Sequence, residues 1–173
     1  MILSYMGKSP KLHETAFVAE GAHVIGDVTV GKDASIWFNT VVRGDVNFIK
    51  IGERTNIQDN SVVHVTYERF PTVIASNVTI GHAAVIHGCT IEDFCLIGMG
   101  AILLDNCLIG DHSIVAAGAL VREGFHVPPG SLVAGVPARI VKQLNDDEMT
   151  RMRDSAQHYV DYVGNFRRQG QQG

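Results

Sequence analysis

The chain has 173 residues and a formal net charge of -4, from 14 basic and 18 acidic side chains. This length fits one domain of ordinary size, and a mixed charge without basic runs excludes a nucleic-acid partner. The first seventeen residues contain no apolar stretch long enough for a signal peptide or membrane span, so we expect a cytoplasmic protein without a membrane partner. Three cysteines without Cys-x-x-Cys spacing argue against a disulfide framework. Charged residues are only 18% of the chain, which predicts that a second copy covers part of the surface.

A six-residue repeat runs through most of the chain. An aliphatic side chain recurs at every sixth residue, with longer spacings after Val42 and Val63 and one spacing of five after Ile86. Four residues after most of these positions stands a small side chain. The repeating positions are Val18, Val24, Val30, Ile36, Val42, Ile51, Ile57, Val63, Ile74, Ile80, Ile86, Ile91, Ile97, Leu103, Ile109, Val115 and Val121.

A period of six fits neither an α-helix, with about 3.6 residues per turn, nor an isolated strand, with about two. β-branched residues at one phase favour short parallel strands joined by tight corners, three to a triangular coil of about eighteen residues. Glycines that follow the aliphatic residue, such as Gly52 and Gly81, predict that the next coil approaches closely. The sequence therefore predicts an all-β solenoid, a parallel β-helix of about five to six coils. It resembles the hexapeptide-repeat proteins, and only that resemblance implies a left-handed β-helix.

The repeat is expected to end in a proline-rich exit turn, which gives a hexapeptide-repeat domain of residues 1–142 and a C-terminal segment of residues 143–173. Asn145 and Glu148, three residues apart, predict the N-terminal cap of an α-helix. The apolar stripe of this helix must pack on its own β-helix or on a neighbouring chain. The Gly- and Gln-rich tail from Arg167 to Gly173 is predicted to be disordered.

Three polar residues interrupt the repeat at one register. If each insertion is a loop within one repeat, Arg43, His64 and His87 stack on successive coils of one edge, while His82 lies in a neighbouring column. This holds only if residues 63–74 contain a single loop; two hidden repeats would break the stacking. Two imidazoles about 4.8 Å apart at the backbone can converge on one ion. A second subunit would have to supply His82, so the register predicts a homotrimer with one metal ion per subunit interface.

The order of these motifs is similar to that of the gamma-class carbonic anhydrase family. The resemblance covers about residues 10 to 165 and depends on Val-Val-Arg-Gly-Asp at 41–45, Asn-Ile-Gln-Asp at 56–59, and the three histidines. It implies that His64 and His87 of one subunit and His82 of the next bind the metal, and that Gln58 hydrogen-bonds the bound water or bicarbonate. The metal is expected to be zinc, with ferrous iron or cobalt as alternatives, because neutral imidazoles suit all three.

The resemblance also assigns roles to four further residues. Arg43 and Asp59 would pair across the interface, and Asp45 would orient Arg43 or neighbouring backbone. Tyr159, on the inward stripe of the final helix, either reaches the site or only packs. We expect a lyase that hydrates carbon dioxide reversibly to bicarbonate, with hydroxide formed on a metal that lowers the pKa of bound water to about 7. Because the loop at residues 65–73 is short and has only one carboxylate for proton transfer, turnover is expected to be slow.

Two other functional classes stay open. Hexapeptide prisms also serve acyltransferases and acyl-CoA thioesterases, in which a histidine acts as base without a metal. A non-enzymatic protein that binds a metal or an iron complex is the third reading.

Several other side chains receive structural interpretations. An apolar wall formed by Val63, Val65 and Ile86 is expected to hold carbon dioxide. Trp37 and Phe38 are expected to fill a contact between subunits. The remaining histidines have no partner in the same column, and we expect them to be structural or exposed: His13, His23, His112, His126 and His158.

Overall fold

The structure is a computed structural model that describes residues 1–170. Within this range, twenty short strands form a parallel β-solenoid that closes with one antiparallel strand and one α-helix, α1, at Asp146–Gly170. The strands are β1 (Ile2–Leu3), β2 (Lys11–Leu12), β3 (Phe17–Val18), β4 (His23–Val30), β5 (Ser35–Ile36), β6 (Val41–Ile51), β7 (Asn56–Ile57), β8 (Val62–His64), β9 (Thr72–Ile74), β10 (Thr79–Ile80), β11 (Val85–His87), β12 (Thr90–Ile91), β13 (Leu96–Ile97), β14 (Ile102–Leu103), β15 (Leu108–Ile109), β16 (Ile114–Val115), β17 (Leu120–Val121), β18 (His126–Val127), β19 (Ser131–Gly135) and β20 (Ala138–Gln143).

Most coils contribute one short strand to each of three faces, whereas β4 and β6 each run along two of them. Equivalent residues of successive coils pair in register. Leu96, for example, pairs with Ile114, one coil of eighteen residues later. We call the faces the histidine face, the helix face and the polar face. Their inward columns are Val24, Val42, Val63, Ile86, Leu103 and Val121 for the histidine face; Val18, Ile36, Ile57, Ile80, Ile97, Val115 and Val133 for the helix face; and Leu12, Val30, Ile51, Ile74, Ile91, Ile109 and Val127 for the polar face.

The predicted fold class is confirmed, and the described residues form seven coils, more than the five to six expected. Beyond Val121, β18 and β19 continue the parallel pairing. The prolines at 128 and 129 do not prevent this, because they lie at the corner between these strands, where no ladder hydrogen bond is needed from their nitrogens. The chain leaves the solenoid at Gly135, where β20 turns back against β19.

The repeat builds the core as the sequence predicts. Sixteen of the seventeen repeating aliphatic side chains are buried, and Val18 is partly buried. Full burial of one such side chain contributes about 1.5 to 3 kcal/mol, so the column is the main source of stability. A Cβ atom on Gly52 would lie 2.5 Å from the carbonyl carbon of Ala75, and one on Gly81 would lie 2.7 Å from the nitrogen of Met99. Both glycines are therefore required by the close approach of the next coil.

The long spacing at residues 63–74 is a single loop. Val63 pairs with Ile86, and Ile74 pairs with Ile91 in the following strands, so the register continues on both sides of the loop. A bridge between Thr66 and Phe70 closes the loop on itself. The predicted stacking of this region is confirmed.

Helix α1 packs on the helix face of its own β-helix. Its cap is the predicted one: the backbone nitrogen of Glu148 donates to Asn145 Oδ1 at 2.9 Å, and that of Asn145 donates to Glu148 Oε2 at 3.1 Å. Trp37 lies beneath the helix, with its ring centroid 5.5 Å from that of Tyr159 and 5.4 Å from that of Phe166. The expectation that Trp37 fills a subunit contact is therefore wrong for this residue, because its own helix buries it.

The end of the helix corrects another expectation. The helix continues to Gly170, so residues 167–170 are helical and not part of a disordered tail. Arg167 fastens this end, because its Nη2 donates to the carbonyl oxygen of Thr15 at 2.7 Å. Residues 171–173, the rest of the expected tail, lie outside the described residues.

Candidate metal centre

The histidine face brings His64 and His87 together. They are paired residues of β8 and β11, at the position directly after the inward aliphatic side chain of each strand. The imidazole centroids are 5.1 Å apart, and His64 Nδ1 lies 3.1 Å from His87 Nε2. Because both side chains project from adjacent coils at one corner of the prism, the fold fixes their separation.

A carboxylate lies against the outer nitrogen of each imidazole. Nε2 of His64 is 2.9 Å from Asp45 Oδ1, and Nδ1 of His87 is 2.5 Å from Asp105 Oδ1. Arg43 Nη1 donates to the second oxygen of Asp45, and Thr66 Oγ1 donates to the second oxygen of Asp105 at 2.5 Å. The two imidazoles are thus held between two carboxylates, each with a further donor of its own.

Both carboxylates favour the ionised form. Burial opposes ionisation of Asp45, but hydrogen bonds from His64 and Arg43 outweigh it and hold the pKa of this carboxyl below its ordinary 3.8. Burial likewise opposes ionisation of Asp105, and hydrogen bonds from Thr66 and His87 again lower its pKa. The pair of carboxylates therefore adds negative charge beside the imidazoles at neutral pH.

This donor set fits a divalent cation. When each imidazole donates its outer N–H to a carboxylate, its remaining lone pair points at the other imidazole across the 3.1 Å contact between His64 Nδ1 and His87 Nε2. Two facing lone pairs repel, whereas a cation shared by them is stabilised by both. In a tetrahedral site with nitrogen ligands at about 2.0 to 2.1 Å, two ligand nitrogens lie about 3.3 Å apart. The contact in this chain is close to that separation.

His82 stands on another part of the prism. It lies in the turn after β10, two residues beyond the inward column of the helix face, and its side chain is 47% exposed. Its Nδ1 is 2.9 Å from Asp59 Oδ2. Within one chain, Asp59 thus pairs with His82, and Arg43 pairs with Asp45. The expected contact between Arg43 and Asp59 across an interface stays a prediction.

A cavity of about 460 Å³ adjoins His82 on the helix face. Gln58 and Tyr159 line it as well. The side chain of Gln58 is anchored, because Nε2 donates to Asn56 Oδ1 at 3.1 Å. Burial, and then the charge of Asp59, raise the pKa of Tyr159, so its hydroxyl stays protonated at neutral pH. Sequence reasoning left Tyr159 between a site role and a packing role, and the structure gives it both an aromatic contact and a place in this cavity.

Among residues 1–170, no group of three or more His, Cys, Asp or Glu side chains converges so as to hold a metal ion. Of the predicted ligands, His64 and His87 lie in contact within one chain, and a ligand from a second chain stays a prediction.

The structure corrects the expected apolar wall of the site and adds two polar residues next to the histidines. Val63, Val65 and Ile86 cannot line a carbon dioxide site, because all three point into the core and are at most 1% exposed. Asp105 and Thr66 were not singled out from the sequence. The period alone does not point to Asp105, because the coil after His87 has seventeen residues and Asp105 lies one residue beyond the register equivalent of His87.

The loop at residues 65–73 forms the rim of a second cavity. This cavity, of about 450 Å³, is lined by Asp45, Val46, Tyr67 and Glu68 among others. A hydrogen bond to the Glu68 carboxylate raises the pKa of Tyr67. The single carboxylate of the loop thus lies on the same cavity as the carboxylate that contacts His64.

Comparison with known proteins identifies the family. Residues 88–123 match the model described as bacterial transferase hexapeptide (six repeats). A protein of Methanocaldococcus jannaschii named "Probable carbonic anhydrase" is 55% identical over 143 residues, which cover 83% of this chain and 89% of that protein. Gamma carbonic anhydrase 2 of Arabidopsis thaliana, a mitochondrial protein, is 46% identical over 164 residues, 92% of this chain. This chain belongs to the gamma carbonic anhydrase family.

The chain spans 59% of the length of that Arabidopsis protein. Among solved structures, a hexapeptide transferase family protein from Anaplasma phagocytophilum has a TM-score of 0.92 and 42% identity, covering 96% of this chain and 98% of that one. Names of both kinds, anhydrase and transferase, thus occur among close relatives of this gamma carbonic anhydrase family member. Within residues 1–170, no helix is both long and apolar enough to cross a membrane.

Proposed function

We propose that this protein is a metal-dependent carbonic anhydrase that hydrates carbon dioxide reversibly to bicarbonate. The observation that carries the proposal is the contact between His64 and His87, two imidazoles in register whose outer nitrogens face carboxylates and whose inner nitrogens face each other. Membership of the gamma carbonic anhydrase family supports the same reaction.

His64 and His87 of one subunit and His82 of the next are the proposed ligands, with zinc as the metal and ferrous iron or cobalt as alternatives. Each of the three imidazoles has one nitrogen paired with a carboxylate, that of Asp45, Asp105 or Asp59. Carboxylate partners of this kind orient metal-bound histidines and raise their basicity. When bound, the ion supplies a water nucleophile that ionises near neutral pH.

The character of the three faces supports the proposed homotrimer. The outward column of the polar face is mostly polar, with Thr29, Lys50 and Thr90 among its members and Val73 and Leu108 as its aliphatic ones. Helix α1 covers the helix face. The histidine face differs, because its outward column is aliphatic over five successive coils and Val62 in it is 40% exposed. This column, which we call the aliphatic ladder, consists of Val41, Val62, Val85, Ile102 and Leu120.

A second copy is the occupant that the aliphatic ladder favours. Burial of exposed Val, Ile and Leu side chains would stabilise association by about 25 cal/mol per Å². The ladder runs beside His64 and His87, so a chain that covers it also approaches the incomplete metal centre. Head-to-tail contacts that close by three-fold rotation give three equivalent interfaces, and each would then hold one ion.

The remaining polar residues would bind and orient the substrate. Gln58, buried and fixed by Asn56, offers an amide donor to bicarbonate or to the attacking water. Arg43 of one subunit and Asp59 of the next would pair across the interface, while Asp45 holds Arg43 and His64. The Tyr159 hydroxyl, on the cavity shared with Gln58 and His82, is a further donor.

Slow turnover is part of the proposal. Protons must leave the centre after each hydration, and Glu68 is the only carboxylate of the loop at residues 65–73. Its cavity also contains Asp45, which supports an exit on this side. A cytoplasmic location is the companion proposal; free thiols at all three cysteines support a reducing compartment.

Acyl transfer is the second candidate. The match to a transferase family model and the cavity of about 460 Å³ beside His82 and Tyr159 favour it. There His82 would act as a general base, and activity would survive removal of metal. The third candidate function is metal binding without catalysis.

One experiment separates these functions. The protein is stripped with a chelator, reconstituted anaerobically with zinc, cobalt or ferrous iron, and assayed both for carbon dioxide hydration and for acetyl-coenzyme A turnover. Hydration that rises with metal content, up to one ion per chain, supports the anhydrase. Acetyl-coenzyme A turnover that persists in the stripped protein supports acyl transfer, and one ion per chain with neither activity supports a binding protein.

A further inference from the structure

Asp105 is tied to the candidate metal centre from both sides. It lies in the turn after β14, one coil beyond His87, and its Oδ1 is 2.5 Å from His87 Nδ1. Its Oδ2 accepts a hydrogen bond from Thr66 Oγ1 at 2.5 Å, from a loop 39 residues away in the chain. A carboxylate with both oxygens engaged has a defined orientation, and here that orientation faces an imidazole.

Gly88 leaves the space that this carboxylate occupies. Gly88 has a φ of +54°, and a Cβ atom built on it would lie 2.4 Å from Asp105 Oδ1. The backbone around it is also fixed, because the nitrogen of Asn106 donates to the carbonyl oxygen of Gly88 at 2.7 Å. In the sequence, this tight corner corresponds to the spacing of five residues between Ile86 and Ile91.

We propose that Asp105 is a positioning residue, which holds the proton of His87 on Nδ1 and so presents the lone pair of Nε2 to the metal. The inference rests on the proposed function, since it needs His87 as a ligand. Neutral imidazole carries its proton on either nitrogen, and only the unprotonated nitrogen can bind a cation. Thr66 acts through Asp105, because its hydroxyl occupies the second carboxylate oxygen and stops the carboxylate from rotating.

The other tautomer would close the centre to metal. A proton on His87 Nε2 would point at His64 Nδ1, only 3.1 Å away, and would leave the Nδ1 lone pair facing the ionised Asp105. Lone pair and carboxylate repel, so Asp105 disfavours this state electrostatically. Outer partners of metal-bound histidines typically change metal affinity by about 10- to 100-fold when they are removed.

The test compares Asp105→Ala with a matched control, Asp111→Ala. Asp111 pairs with His112 Nδ1 at 2.9 Å, so the control removes the same kind of aspartate from a histidine outside the centre. The first readout is the tautomer of the neutral His87 imidazole in the metal-free protein, from imidazole nitrogen NMR at alkaline pH. The second is the zinc dissociation constant, from competition with a chromophoric chelator.

We expect Nδ1–H on His87 in the wild type and in Asp111→Ala, and a mixed tautomer in Asp105→Ala. The zinc dissociation constant should rise about 10- to 100-fold in Asp105→Ala and stay at the wild-type value in the control. Asp105→Asn, which keeps the side-chain size, provides a second variant should the alanine protein fail to fold. Its neutral amide can donate to Nδ1 and so favours the other tautomer, and it too should weaken zinc binding. Unchanged tautomer and zinc affinity in a folded Asp105 variant would overturn the proposal.

Failure of the proposed function looks different. If the wild type binds no zinc, or if His87→Ala binds it as tightly as the wild type does, the metal centre is wrong. The tautomer measurement does not depend on metal. It would then still show whether Asp105 sets the state of His87, and Nε2–H in the wild type would refute that directly.

Discussion

His64 and His87 are 23 residues apart in the chain, yet they are direct partners on adjacent parallel strands. The extra length beyond a regular coil of eighteen residues is taken up by the loop at residues 65–73 on one side of the corner. Thr72 anchors this loop, because its hydroxyl donates to the carbonyl oxygen of His64 at 2.5 Å. An insertion can therefore enter the repeat without moving the histidines out of register.

Replacement of His82 by alanine should abolish tight metal binding while the fold is kept. His82 is the third proposed ligand, and its half-exposed side chain makes no contribution to the core. Metal content per chain after dialysis against micromolar zinc measures the effect. His126→Ala, an exposed histidine on the polar face, is the control and should keep wild-type zinc. Full zinc in His82→Ala would remove this residue from the centre.

A charge on the aliphatic ladder should dissociate the proposed trimer. Ile102→Glu places a carboxylate in the middle of the proposed contact, where its desolvation costs several kcal/mol. Light scattering after size-exclusion chromatography should give the monomer mass for this variant and the trimer mass for Thr90→Glu, which carries the same charge on the polar face. A trimeric Ile102→Glu protein would mean that another surface forms the assembly.

Gly98 should tolerate no side chain. A Cβ atom there would lie 2.4 Å from the nitrogen of Ala117 in the next coil, so the backbone of Gly98→Ala must shift. Overpacking of this kind costs about 1 to 3 kcal/mol of unfolding free energy. Gly164→Ala is the opposite case, since its nearest atom lies 3.6 Å away on Arg168 and the site is in helix α1. The free energy of unfolding of Gly164→Ala should rise by up to about 1 kcal/mol. Urea unfolding of both variants measures whether the free energy of unfolding falls in Gly98→Ala and rises in Gly164→Ala.

The buried thiol of Cys95 should make the protein less stable at alkaline pH. Burial raises the pKa of Cys95 from the ordinary 9.0 to about 12. Between these values the unfolded chain loses the proton and the native chain keeps it, so the unfolding free energy falls as pH rises. Cys95→Ala removes this component. The loss of urea stability from pH 8 to about pH 10 should therefore be smaller in the variant than in the wild type.

The solenoid could be predicted because one physical rule repeats. Each inward position must be apolar and each corner must allow a tight turn, so a single period carries both strand and register information. That register was enough to place His64 beside His87 and to separate His82 from both. The capping pair of Asn145 and Glu148 was equally local, since its two hydrogen bonds join residues three apart.

Features that depend on a side chain's surroundings were harder to predict. Trp37 reads as an outward residue, and only the path of helix α1 shows that it is covered. Val63 and Ile86 neighbour the histidines in sequence, but strand alternation turns them into the core. Asp105 has no motif of its own. Its proposed role depends on its distance to His87, which only the structure gives.

The central claim is that one metal centre joins two chains, and subunit complementation tests it most directly. His64→Ala and His82→Ala chains, each unable to hold the ion alone, are co-expressed in equal amounts. If the centre takes His64 and His87 from one subunit and His82 from the next, about one third of the interfaces in mixed trimers regain all three ligands, which is about one quarter of all interfaces after random assembly. Zinc content and carbon dioxide hydration should then both recover to about a quarter of the wild-type level. If the mixture shows no more zinc and hydration than either variant alone, the centre does not form between subunits.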